Sequence, residues 1–101
     1  IGGSIVDPLP PIPVITKAYV TISDKMIVVE WGTPEDIDKV RVFIGTTEES
    51  ISLSAEVDAS LKIYTLPEPF SQGLYYVAIR GYRERDEALT GLSEIRPVPV
   101  T

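Results

Sequence analysis

The sequence predicts an all-β domain in which two antiparallel sheets pack face to face as a sandwich. Three observations lead to this fold class. The apolar residues occur in short runs rich in β-branched and aromatic side chains, several of which alternate with polar residues. Glycine, proline, serine and aspartate separate these runs at regular intervals, as turns require. No segment carries an apolar stripe at helical spacing over more than a turn or two.

Residues 1–12 are predicted to form a linker, and residues 13–101 the globular domain. Glycine and serine near the start favour flexibility, whereas the prolines that follow favour extended polyproline geometry. Such a segment connects a domain semi-rigidly to a preceding one. Because the chain begins with isoleucine rather than methionine, we interpret it as a piece of a longer protein.

Four strands are predicted in the first half of the domain: Val14–Ser23, Met26–Trp31, Lys39–Thr46 and Ile51–Val57. In the second, Trp31 shares a face with Ile27 and Val29, which favours the core over a sugar-stacking role for its ring. The third alternates most clearly, with Val42 facing inward and Phe43 outward. The apolar residues of the fourth all fall on one side: Ile51, Leu53, Ala55 and Val57.

Three further strands are predicted in the second half: Leu61–Leu66, Leu74–Tyr82 and Leu92–Val100. The Leu74–Tyr82 strand has the strongest pattern, with Tyr75 and Ile79 on one face. Its opposite face carries Tyr76 and Tyr82. In the last strand, prolines at positions 97 and 99 remove donors from one side alone, which predicts an edge position. The intervening residues 83–91 are predicted to be a charged loop.

In this order the segments resemble a fibronectin type III domain, a member of the immunoglobulin-like β-sandwich superfold. The resemblance rests on Ile27–Trp31, Val40–Ile44, the Leu66-Pro67 pair and Tyr75–Tyr82. It implies seven strands and an interior filled by Trp31, Val42, Tyr75 and Ile79.

The resemblance also implies that Tyr75 buries its ring and bonds a backbone group through its hydroxyl. The sequence departs from the family before Tyr75, where residues 70–73 lengthen the connection from Leu66. A different immunoglobulin-like family is the rival assignment.

Composition excludes several functions. The net charge of −6 repels phosphate, which argues against nucleic acids and anionic membranes as partners. The longest apolar run, Leu74–Ile79, is far shorter than the roughly 20 residues that span a bilayer. Histidine and cysteine are both missing, so the chain has neither disulfides nor a thiolate metal site. We expect no cofactor and no metal.

We also expect no catalytic activity. Two acidic groups supply carboxylates that a glycosidase or a calcium site would need: Glu35, Asp36 and Asp38, and Glu84, Asp86 and Glu87. Both groups lie in predicted loops, and we interpret them as solvated. Arg85-Asp86 lacks the glycine of an integrin-binding Arg-Gly-Asp, so that function is rejected.

The resemblance implies a non-catalytic structural or interaction module of a larger surface, secreted or virion protein. Its partners would be neighbouring domains of the same polypeptide, and its location extracellular, on a cell surface or in a virion. The alternative is an accessory domain of a secreted enzyme that binds a carbohydrate or protein. Its platform would be the outward rings of Phe43, Tyr76 and Tyr82. Ordinary cross-strand packing also explains those rings.

Overall fold

A computed structural model describes residues 10–32, 36–67 and 69–101 of the chain, and it confirms the all-β sandwich. Eight strands are present: β1 Ile15–Val20, β2 Ile27–Trp31, β3 Lys39–Gly45, β4 Ser52–Asp58, β5 Ile63–Thr65, β6 Gly73–Arg83, β7 Ala88–Leu89 and β8 Arg96–Val100. Single 3₁₀ turns cover Glu48–Ser50, Ala59–Leu61 and Glu84–Asp86. None of the helices in the described part of the chain is long and apolar enough to cross a membrane.

The strands form two antiparallel sheets. The smaller sheet has the order β1-β2-β5, and the larger runs β4-β3-β6 and continues into β7 and β8. Both β7 and β8 pair with β6, at its end and at its beginning respectively. The proline-containing β8 hydrogen-bonds to β6 on one side, as its predicted edge position requires. The two-residue β7 was not predicted, because it lies within the charged segment assigned to a loop.

The core lies between the two sheets. It combines alternate residues of β2, β3, β6 and β8 with one residue of β1 and two from the connections. Twelve buried residues form it: Ile15, Ile27, Val29, Trp31, Val40, Val42, Ala59, Leu66, Val77, Ile79, Val98 and Val100. Burying each aliphatic side chain of this kind contributes about 1.5–3 kcal/mol, so this layer supplies most of the driving force for folding.

Trp31 is 2% exposed at the end of β2, where its indole reaches across the sandwich. Its Nε1–H donates a hydrogen bond of 2.9 Å to the backbone oxygen of Ala59. Its backbone N–H bonds the oxygen of Lys62 at 2.9 Å. The tryptophan therefore ties the β4–β5 connection to the core while keeping its polar atom satisfied.

Leu53 was predicted to share a face with Ala55, and this prediction is wrong because β4 contains a β-bulge. Ala55 pairs with the buried Val42, so it faces the core, but the register shifts before the next pair, Phe43 with Leu53. One extra residue in β4 turns the following side chains to the opposite face. Leu53 is consequently 53% exposed and lies on the outward face beside Phe43.

The last predicted strand begins four residues later than expected, at Arg96. Two hydroxyls replace ladder partners of β6 in the segment that precedes it. Thr90 Oγ1 accepts from the Gly81 amide at 2.8 Å, and Ser93 Oγ accepts from the Ile79 amide at 2.9 Å. Side-chain acceptors therefore satisfy β6 where the chain is too irregular to pair as a strand.

The end of the segment predicted as a linker packs on the domain. Pro10 and Pro13 are buried. A Cβ atom added to Gly91 would lie 3.0 Å from Cδ1 of Ile12, so this side chain rests directly on the glycine backbone. These contacts hold the chain against the loop that precedes β8.

Replacing Trp31 tests the core. We expect Trp31→Ala to lower the free energy of unfolding by about 3–5 kcal/mol, because it leaves a large cavity. Chemical unfolding followed by circular dichroism measures this loss. Trp31 is the only tryptophan, so the parent should also show blue-shifted fluorescence that iodide quenches poorly. Red-shifted, freely quenched emission would contradict the buried position.

Gly81 is required by the close approach of Ile37. A Cβ atom at Gly81 would lie 2.6 Å from Cδ1 of Ile37. We therefore expect Gly81→Ala to cost about 1–3 kcal/mol of stability. Gly32→Ala is the matched control, since a Cβ there meets nothing within 4 Å. In the Ile37→Ala background, Gly81→Ala should cost less than it does in the parent, and equal losses in the two backgrounds would argue against the clash.

Candidate interaction surfaces

Phe43 and Tyr76 lie on the outward face of the larger sheet. Phe43 pairs with Ala78 and Tyr76 pairs with Gly45, so the two rings occupy diagonal positions on neighbouring strands. Both are half-buried, and Ala78 beside them is 0% exposed. Side chains in this relation lie within reach of one another across a sheet.

The apolar surface extends to both sides of these rings. Leu53 pairs with Phe43, Pro97 with Tyr76, and Leu74 with Pro99. Leu53 and Leu74 are 53% and 46% exposed. We call this surface the apolar half-face, which consists of Phe43, Leu53, Leu74, Tyr76, Pro97 and Pro99. Its members carry no charge, and the Tyr76 hydroxyl is the single polar side-chain group among them.

Tyr82 belongs to a separate, charged region of the same sheet. It pairs with Lys39 and lies about 20 Å along β6 from Tyr76, at 3.3–3.4 Å per residue. The Arg41 guanidinium carbon lies 5.0 Å from the centre of its ring, in a cation–π contact. Burial raises the pKa of the Tyr82 hydroxyl, with a further contribution from Glu87. The three rings grouped from the sequence therefore form two surfaces.

An ion-pair network joins two loops at one end of the sandwich. Arg83 binds Asp86 in a bidentate manner, through Nε to Oδ1 at 2.9 Å and Nη2 to Oδ2 at 2.7 Å. Its Nη1 donates to Oδ2 of Asp36 at 2.9 Å. Arg85 donates to both oxygens of Asp36 at 3.0 and 3.1 Å. We call these four residues the Arg83 clamp.

Because Arg83 is buried, breaking the Arg83 clamp is expected to lower the stability of the fold. Arg83 is 1% exposed, and a buried charge is costly unless it is paired and hydrogen-bonded. Hydrogen bonding to Asp86 is the main reason that the pKa of Arg83 is raised. The same bond holds the pKa of Asp86 below its ordinary value, against a smaller opposing effect of burial. Both groups therefore stay ionised, as the pair requires.

Asp38 forms a second link between the same loops. Its Oδ2 accepts from the Glu84 amide at 2.8 Å, and its own amide bonds the Tyr82 oxygen at 2.9 Å. Asp36, Asp38 and Asp86 are exposed, as the interpretation of solvated loops expects, and they are also bonded to arginines and backbone amides. Glu35 lies outside the described residues. Within residues 10–32, 36–67 and 69–101, no group of acidic side chains is arranged to hold a metal ion.

The four residues predicted to fill the interior differ in their exposure to solvent. Trp31, Val42 and Ile79 are buried, at 2%, 0% and 0% exposure. Tyr75 is half-buried, packs against the core and meets Phe70 edge-to-face, with ring centres 4.9 Å apart. Its hydroxyl donates to the backbone oxygen of Ser71 at 3.0 Å. The lengthened connection before Tyr75 therefore supplies the backbone acceptor four residues upstream.

Two grooves are lined by described residues. One, of about 340 Å³, is lined by Ile44, Ser54, Leu66, Pro67 and Phe70. The other, of about 240 Å³, lies between residues 12–15 and the segment that leads into β8. Neither groove is lined by Asp36, Asp38 or Asp86, so these carboxylates do not share a cleft with either groove.

The sequence interpretation missed the Arg83 clamp, although a signal for it exists. Residues 75, 77, 79 and 81 alternate on the inward face of β6, and position 83 continues that series. An arginine at an inward position requires a partner for its charge. The acidic residues of both loops were the candidates for that partner.

Solved structures share this architecture. A Fn3-like protein from Clostridium thermocellum superposes with a TM-score of 0.76 at 16% identity, over 88% of this chain and 91% of that one. The sixth fibronectin type III domain of human fibronectin type III domain containing protein 3 gives 0.70 at 18% identity, over 97% and 92%. The chain has the fibronectin type III fold. At this identity the likeness concerns the fold alone.

The fibronectin type III fold also matches part of a longer chain. A β-1,2-glucanase from Parabacteroides distasonis superposes with a TM-score of 0.70 at 19% identity, over 92% of this chain but 14% of the glucanase. Domains with this fold thus occur within multidomain proteins. No protein-family model matches this sequence, and no curated protein matches it.

The pairing of Asp86 with Arg83 predicts a pH dependence. A carboxyl group with a lowered pKa in the folded state stabilises the fold above its ordinary pKa, and this contribution is lost as pH falls through the lowered value. We compare chemical unfolding of the parent with Asp86→Asn. The difference should stay constant from pH 7 to about 5 and shrink below about pH 4.

Asp24→Asn is the control, since Asp24 lies exposed in the β1–β2 turn. This variant removes one carboxylate at a distance from Arg83, and we expect it to change stability little. If the difference between the parent and Asp86→Asn widens as the solution is acidified, the assignment of the pair is wrong.

Proposed function

We propose that this domain is a non-catalytic structural or interaction module within a longer surface, secreted or virion protein. The observation that carries the proposal is the match to the glucanase, in which this fold accounts for 14% of a much longer chain. A sandwich that buries its apolar residues between its sheets offers its outer faces and loops to neighbouring domains.

The chemistry of the loops supports a non-catalytic role. Asp36 and Asp86 use both carboxylate oxygens to bind arginines, and Asp38 accepts from a backbone amide. The bond from Arg83 also lowers the pKa of Asp86, which makes this carboxylate a weaker general base. These side chains instead fix the loops of a rigid module.

The apolar half-face favours a second candidate, an accessory domain that binds a protein or a carbohydrate. Two diagonal rings and two exposed leucines form a continuous uncharged surface. Aromatic and aliphatic groups of this kind are enriched where proteins contact each other. Sugar binding also needs polar groups beside the rings, and the Tyr76 hydroxyl is the one available. This composition favours a protein over a glycan.

Native gel electrophoresis of the 101-residue domain tests the structural module against a carbohydrate-binding domain and against an enzyme. We expect gels that contain β-1,2-glucan to leave its mobility unchanged if the domain is a structural module. Retardation that Phe43→Ala/Tyr76→Ala removes would favour the carbohydrate-binding candidate. The matched control is Tyr19→Ala, which removes a 40% exposed ring from the opposite sheet. Release of reducing sugar from the glucan would contradict a non-catalytic role.

The variants are suited to this test because their side chains are half-buried on the outer face. Each truncation should lower the free energy of unfolding by about 1 kcal/mol, so the variants stay folded. Thermal unfolding of each protein checks this before binding is compared.

A further inference from the structure

The Arg83 clamp joins parts of the chain that are distant in sequence. Asp36 lies between β2 and β3, and Asp86 lies in the turn between β6 and β7. Asp36 is 47 residues from Arg83 and 49 from Arg85 in the chain, and it is hydrogen-bonded to both. Asp38 adds two backbone-linked contacts, to Glu84 and Tyr82.

The buried guanidinium of Arg83 connects the loop that contains Asp36 with the turn that contains Asp86. The guanidinium of Arg83 directs Nε and Nη2 to Asp86, and Nη1 to Asp36. If one carboxylate moves away, a 1% exposed guanidinium loses one of its charge-compensating partners. We then expect the guanidinium to shift toward water or toward the partners that remain. Either response disturbs the second loop.

Backbone strain strengthens the coupling between the two loops. Asp36 adopts a left-handed conformation, with φ of 57°, and Glu87 does so with φ of 53°. Residues other than glycine persist in this conformation when surrounding contacts hold them there. At Asp36 those contacts are the bonds to Arg83 and Arg85. Residues 36–38 therefore relax readily once the clamp is broken, whereas Glu87 is held by its own amide bond to the Glu84 oxygen.

We propose that the Arg83 clamp is a conformational latch that makes residues 36–38 and 84–87 open and close as one unit. A partner that displaces either loop then also displaces the other. Because coupling of this kind is reciprocal, disturbing the 84–87 turn must loosen residues 36–38, and disturbing Asp36 must loosen the turn to a similar extent.

Residue-resolved amide hydrogen exchange, measured by NMR on the full domain, tests the latch. In Asp86→Asn, we expect the Asp38 amide to exchange about tenfold faster, although the change lies in the other loop. In Asp36→Asn, the Glu84 amide should accelerate similarly. Glu87→Gln is the matched control within the turn, since it removes a charge outside the clamp, and it should leave the Asp38 amide unchanged.

The Phe70 amide is a control in a loop away from the clamp, where it bonds the oxygen of Lys25 and exchanges through local opening. It should keep its rate in both clamp variants. If each variant accelerates exchange in its own loop alone, or if Phe70 accelerates as much as Asp38 and Glu84, the latch is overturned. The Asp36→Asn/Asp86→Asn double variant adds a second readout. Its destabilisation must differ from the sum of the single losses, and strict additivity would also overturn the proposal.

Discussion

The fold depends on one shared layer of side chains between a three-stranded and a five-stranded sheet. Trp31 extends from the end of β2 to the backbone of Ala59, where its indole is hydrogen-bonded. Valines and isoleucines of β3 and β6 complete the layer at 0% exposure. A sheet pair of this size is stable because each sheet covers the apolar face of the other. Neither sheet has a second apolar partner in the described part of the chain.

This constraint leaves the outer faces and loops for recognition. The larger sheet divides its outer face into the apolar half-face and a charged region around Tyr82. The edges carry features that discourage pairing with other strands: prolines in β8 and a bulge in β4. At one end the Arg83 clamp fixes the loops. These features suit a module that meets partners through a face or an end.

Alternation of apolar residues predicted the sandwich, most strands and the inward positions of Val42 and Ile79, because the period of two directly reflects strand geometry. It failed where the backbone departs from that period. The bulge in β4 turned Leu53 outward, and the hydroxyls of Thr90 and Ser93 substituted for strand pairing. Arg83 was predicted to lie in a loop because residues 83–91 are highly charged, although its position continues the alternating pattern of β6. Which carboxylates pair with it depends on loop conformations that sequence spacing does not determine.

Both sheets fold as one unit because they share this core. Native-state hydrogen exchange measures it most directly, by comparing the free energies of exchange of Val29 in β2 with those of Val42 in β3 and Ile79 in β6. If the two sheets unfold together, these values are equal and match the global free energy of unfolding. A clearly lower value for Val29 would show that the smaller sheet opens by itself, and would contradict folding as one unit.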